Sequence, residues 1–117
     1  MLGDMLELGK WSADAHRKVG ERVAKVADLL MTVGFRAAAI AGAARGAGMS
    51  PDAIQEYAMG ESGRLGADFS SQLKAGDVVL VKGSQGMRME KTVKELMAEP
   101  ERAPDFLVRQ DMEWEKR

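Results

Sequence analysis

Apolar positions along this chain alternate between helical and strand-like spacing. Val19, Val23, Val26, Ala27 and Leu30 fall at i, i+4, i+7, i+8 and i+11, one face of an amphipathic helix over residues 13–28. Ser12 stands where an N-cap is expected, and Asp14 falls in the positive first turn. Gly20 inside that helix costs about 1 kcal/mol against Ala, so its presence points to tight packing. Leu29 to Val33 is a short apolar run stopped by Gly34 and reads as a buried strand. Residues 36–47 form an Ala-rich helix, small enough in its side chains to lie close on a sheet. The spacing Gly42 to Gly46 marks such a contact, and Gly48 completes the stop. Residues 53–58 fit either a helix begun at Ser50-Pro51-Asp52 or a short strand over Ile54 to Tyr57. Ser62 can cap a helix bearing Leu65, Phe69 and Leu73, weakened by Gly63 and Gly66.

Val78 to Val81 is four apolar residues in a row, three of them β-branched, as expected of a strand buried on both faces of a parallel sheet. Residues Gly83 to Gly86 break it. A helix follows to about Ala98, with Met89, Val93, Leu96 and Met97 on one face. On its surface Glu90/Lys94 and Lys91/Glu95 are spaced as ion pairs. Phe106 to Val108 is an apolar patch, and the charged run from Arg109 to Arg117 reads as a solvated end. Strands alternating with helices predict an α/β fold with a mostly parallel sheet.

Composition narrows the class. The 117 residues suit one small domain. With 17 Lys and Arg against 18 Asp and Glu, the charge balance does not suit a nucleic-acid binder. No apolar run approaches the roughly 20 residues that span a bilayer, and residues 1–10 lack the pattern of a secretion signal. A cytoplasmic protein is expected. Zero cysteines exclude disulfides and thiolate chemistry, and His16 is the single histidine.

Two places could carry chemistry. One is the strand, Gly-rich turn and helix of residues 77–98, where Lys82, Ser84 and Arg88 suit a phosphate or carboxylate. Its spacing is neither the Walker loop nor G-x-G-x-x-G, so an anion site and an ordinary βα turn both remain open. The other is Asp4, Glu7 and His16, readable as an acid/base cluster or as a packing histidine beside a loop.

Two longer segments are more specific. Leu2-Gly-Asp-Met-Leu-Glu-Leu-Gly9, with His16 and Val19-Gly20 following, resembles the start of the C-terminal domain of the Mur ligases. Residues Gly76 to Glu90, Gly-Asp-Val-Val-Leu-Val-Lys-Gly-Ser-Gln-Gly-Met-Arg-Met-Glu, resemble the same domain's later signature. The similarity is to members that join D-alanyl-D-alanine to UDP-N-acetylmuramoyl-tripeptide, using ATP and Mg2+ to form an acyl phosphate. It implies a three-layer Rossmann-like fold with helices on both faces, lacking most of its first strand. Residues 1–98 would be that domain and 99–117 a tail. By resemblance, Asp4 and His16 would lie on the nucleotide side, and Lys82, Ser84 and Glu90 near the dipeptide, with no catalytic group or metal ligand of the chain's own. Gln85 stands where the family usually has Arg. No P-loop is present, so the expectation is a piece of a ligase, inactive alone and binding no cofactor tightly, with an open strand edge prone to self-association. The alternative is a non-catalytic module that binds a small ligand or a protein.

Overall fold

A computed structural model describes residues 1–116. Its centre is a parallel sheet of three strands, β1 (Leu2–Gly3), β2 (Leu30–Val33) and β3 (Ile54–Tyr57), in the order β1-β2-β3. Leu2 is in register with Thr32, and Leu30 with Ile54. Helices α1 (Ser12–Val26) and α2 (Ala38–Gly46) carry the two crossovers, as parallel neighbours require. Residues 53–58 resolve as a strand, entered through a short 3-10 turn at Pro51–Ala53.

The pleat of β2 sends alternate side chains to two cores. Leu30 packs with Ile40, Ala41, Ala44 and Ile54, covered by Val19, Val23 and Ala24 of α1. Met31 and Val33 face the other side, where Leu65 and Phe69 of α3 (Ser62–Ser70) meet Met87 and Met89. Helix α4 (Glu90–Leu96) lies beside α3, and the buried Thr92 hydroxyl donates to the Ser62 carbonyl at 2.6 Å. All four residues of β2 are buried, because the sheet is covered on both faces. The result is the expected three-layer, Rossmann-like α/β arrangement.

Gly20 explains the closeness of the first layer. A Cβ there would press on the Ile40 carbonyl and lie 2.7 Å from the Ala43 Cβ, so α1 and α2 touch backbone to backbone. Ser12 is not the cap. It is the first helical residue, preceded by a 3-10 turn at Gly9–Trp11, and its side chain turns to His16 instead. Nor do Gly42 and Gly46 form a contact, since both face open space.

The Val78–Val81 quartet departs furthest from expectation. It is joined to β1 through one parallel bridge, Leu2 to Lys82, and forms no strand buried on both faces. Val79 and Val81 turn toward the second core, while Val78 is 96% and Leu80 65% exposed. The segment lies at the edge of the sheet, where one side of the pleat meets solvent. The following helix also starts later than expected, at Glu90, after a 3-10 turn at Gln85–Met87 and a left-handed Arg88 at φ 52°. Glu90 pairs with Arg88, and neither Glu90/Lys94 nor Lys91/Glu95 forms an ion pair among the described residues.

The tail is more than a solvated end. Short helices α5 (Ala103–Phe106) and α6 (Met112–Glu115) bring it back to the turn before α4, where the Arg88 guanidinium donates to the Trp114 carbonyl and stacks on its ring.

Candidate functional site

In an open α/β sheet, ligands settle beyond the carboxyl ends of strands, at the point where the chain's path reverses direction. Here that point lies between β1 and the 80–82 segment. From β1 the chain runs through α1 to β2 and β3; it then returns past α3 to lie on the opposite side of β1. Three backbone bonds join the pair: Met1 amine to the Leu80 carbonyl, Lys82 N–H to Met1, and Gly3 N–H to Lys82. Burial of the Met1 amine lowers its pKa from 8.0 to about 6.

Just past the strand ends, two loops 80 residues apart in sequence become one unit, since about that many residues separate Asp4 from Ser84. The Ser84 N–H donates to the Asp4 carbonyl at 2.9 Å, and the Leu6 N–H donates back to Ser84 Oγ at 2.8 Å. Met5 N–H donates to His16 Nε2 at 3.0 Å, while His16 Nδ1 lies 2.7 Å from the Ser12 carbonyl. An accepting Nε2 assigns the ring proton to Nδ1, so this network uses a neutral imidazole with both nitrogens engaged.

Asp4 is fully buried and ties in a third loop. Its Oδ1 accepts the Ala37 N–H at 2.7 Å, at the start of α2, where the positive helix end favours a carboxylate. Its Oδ2 has no hydrogen-bond partner, and the Arg36 guanidinium lies 3.7 Å away. Gly34, at φ 111°, makes this approach possible: a Cβ there would crowd the Asp4 carboxylate and sit 2.7 Å from Met87 Cε. Asp4 and His16 are thus both struts of the loop at residues 4–7, bonded to different neighbours rather than to each other. Glu7 is exposed, in a left-handed conformation at φ 63°, and completes no acid/base cluster with them.

The second loop opens onto a cavity of about 400 Å³, within the usual range for small-molecule sites. Val81, Lys82, Ser84 and Glu90 line one side of it; Leu107 and Arg109 of the tail line the other. The structure therefore brings Lys82, Ser84 and Glu90 together, and sets Asp4 and His16 behind them. Ser84 accepts through Oγ and keeps its hydroxyl proton for a further acceptor. Lys82 is exposed and makes no ion pair among the described residues. Glu90 is already engaged by the Arg88 guanidinium, both side chains being one-tenth exposed. Gln85 is exposed beside them. The second wall carries no sequence signal: Arg109 falls in a charged run that reads as a solvated end, and nothing in local spacing relates it to Ser84. Arg36 also gave no signal, since its role depends on a buried carboxylate 32 positions earlier, as the numbering shows.

Among the described residues no group of three His, Cys, Asp or Glu side chains converges as a metal site, and no helix is long and apolar enough to cross a membrane. The sequence also carries no Walker loop. The site residues supply hydrogen bonding and charge placement.

A family model described as Mur ligase, glutamate ligase domain, matches residues 1–85. No curated protein and no solved structure gives a match.

Proposed function

Because this chain belongs to the Mur ligase family through its glutamate ligase domain, and so is a peptidoglycan-precursor ligase domain, we propose that it serves the member that adds D-alanyl-D-alanine to UDP-N-acetylmuramoyl-tripeptide. The observation that carries this reading is the joining of two loops. The segments around Asp4 and Ser84, which bear the two sequence signatures, are hydrogen-bonded to each other at the strand ends. The Ser84 segment lines a cavity of about 400 Å³, with room for a dipeptide, and the Asp4 loop is bonded to that segment from behind.

The family uses ATP and Mg2+ to activate a carboxylate as an acyl phosphate, which an amine then attacks. In this reading the chain's own part is to hold the incoming dipeptide with its amine toward that acyl carbon. Lys82 and the Ser84 hydroxyl supply a cation and a donor for the dipeptide's carboxylate. The Glu90–Arg88 pair fixes the turn from which they project, and Glu90 offers its remaining lone pairs to an ammonium group. Asp4 and His16, on the nucleotide side, keep the first loop rigid as the domain closes over ATP. Orienting two reactants in this way lowers a barrier without a nucleophile on the positioning domain. A cytoplasmic location follows from the same reading, since the nucleotide-linked precursor is a cytoplasmic substrate.

The test is a chimera in which this chain replaces the corresponding domain of a ligase that adds D-alanyl-D-alanine. We expect ATP-dependent amide formation with that dipeptide. Ser84→Ala should raise its KM more than that of ATP. A folded chimera that turns over with a different acceptor and ignores the dipeptide would overturn the assignment. A chain that adds nothing to any acceptor would favour a non-catalytic binding module.

A further inference from the structure

Residues 106–109 of the tail line the cavity of about 400 Å³ beside the Ser84 turn, and they lie outside the span matched by the family model. Three observations make the tail part of the site. Arg88, only 8% exposed and held in a left-handed conformation, donates to the Trp114 carbonyl and stacks on the indole with its guanidinium 5.3 Å from the ring centre. Arg109 lies over the same ring at 5.0 Å and is itself left-handed, at φ 59°. Trp114 thus couples Arg109, on the cavity wall, to Arg88, on the turn that carries Ser84. Phe106, Leu107 and Val108 complete the wall with apolar surface.

Charge then decides what fits. Arg88 is matched by Glu90, whereas Lys82 and Arg109 have no carboxylate partner among the described residues. The cavity therefore carries two cations and the Ser84 hydroxyl donor, beside apolar walls supplied by Val81, Phe106 and Leu107. We infer that the tail is a strap that closes the acceptor pocket, with Arg109 as a second clamp on the acceptor's carboxylate and Leu107 limiting its side chains to small apolar ones. This inference rests on the reading of the pocket as the acceptor site. A planar guanidinium can grip a carboxylate through two parallel hydrogen bonds, which a lysine cannot do.

Trp114 supplies the readout. In the 117-residue chain bearing Trp11→Phe, an exposed position, Trp114 is the sole tryptophan. Titration with D-alanyl-D-alanine should change its emission saturably. Arg109→Ala should weaken that binding by about tenfold or more, with Arg109→Lys recovering only part. D-alanyl-D-alaninamide, which lacks the carboxylate, should fail, whereas the N-acetylated dipeptide, which keeps the carboxylate and loses only the ammonium contact to Glu90, should still bind, more weakly than the free dipeptide. Leu107→Ala should admit a dipeptide with a larger terminal side chain. Saturable binding that is unchanged in Arg109→Ala, or equal for acid and amide, overturns the strap while leaving the proposed function standing. Binding of a bulkier or acidic amino acid in preference to the dipeptide overturns the acceptor assignment and keeps the pocket. No saturable change with any of these probes overturns the strap, and the chimera then judges the function alone.

Discussion

Strand β1 has two neighbours of nearly the same character in sequence and opposite fate in the structure. On one side, Leu30-Met-Thr-Val33 is 0–3% exposed throughout. On the other, the more strongly β-branched Val78-Val-Leu-Val81 leaves Val78 at 96% and Leu80 at 65%. Propensity favours a strand in both cases. The difference is what lies on either side. β2 sits between two strands and under two helix layers, and its bonds to β3 run the full length of both strands. The 80–82 segment has one neighbour of two residues, and its outer edge is unpaired among the described residues. A β-branched run thus reports that a segment is extended; its place in the sheet decides whether it is buried.

The covered side should be the one that breaks most sharply. Gly20 lets α1 rest on α2 above β2, and its position has no room for a Cβ beside the Ile40 carbonyl. Gly20→Val should cost about 3 kcal/mol or more by overpacking, since neither helix backbone can retreat without opening the core. For a domain of this size that is a fall in Tm on the order of 10–20 °C. Gly42→Ala, on the solvent side of α2, should be neutral or stabilise by up to about 1 kcal/mol, because a methyl there meets nothing. Thermal melts of the two variants side by side measure the contrast. Equal melting temperatures would mean that the close approach of α1 to α2 does not hold this layer together.

Legibility in sequence follows the same division. The helix over α1, the buried run of β2 and the tight contact at Gly20 were readable because periodicity and a single costly glycine report local environment. Two things were not. One was the exposure of Val78 and Leu80, since four apolar residues carry no mark of an edge. The other was the site's far wall, because the Arg88–Trp114 bond and the shared lining of Lys82 and Arg109 join distant segments without a periodic signature. Lys82, Ser84 and Arg88 can be picked out from one turn, and Glu90 enters through the family resemblance. That Glu90 would be occupied by a neighbouring Arg88 cannot be read there, because it depends on the left-handed backbone at that arginine. From its own residues the sequence offers Asp4 only as a member of a possible acid/base cluster, because its buried bond to Ala37 spans loops that sequence does not connect.

The uncovered side of β1 also has a pH signature. The Met1 amine is bonded to the Leu80 carbonyl at 2.8 Å, and burial depresses its pKa to about 6 from 8.0. Between those two values the unfolded chain holds the proton more tightly than the folded one. Stability should therefore rise with pH across this window, be fully present above pH 8, and be lost as pH falls through 6. Because the amine retains some contact with water, the expected span is about 1 kcal/mol rather than the larger figure the full shift implies. Denaturant melts of the 117-residue chain at intervals through the window test it. Acetylation of the amine should flatten the slope; a slope that survives acetylation would place its origin elsewhere.

The smallest effect on stability is expected at the point where the two neighbours of β1 differ most. Val78 is almost wholly exposed, so Val78→Ser removes little buried surface and should change stability by no more than about 0.5 kcal/mol. Association is the more sensitive measure. An unpaired strand edge carrying Val78 and Leu80 offers both hydrogen-bonding groups and apolar surface to a second chain, and a charged residue on such an edge discourages that pairing. Val78→Lys should therefore leave the melting temperature almost unmoved while lowering the concentration-dependent light scattering of the unmodified chain. A large fall in Tm for Val78→Ser would show that this residue is covered in solution. Scattering indifferent to Val78→Lys would show that the chain does not associate along this edge, and the contrast between β2 and the 80–82 segment would then be one of burial alone.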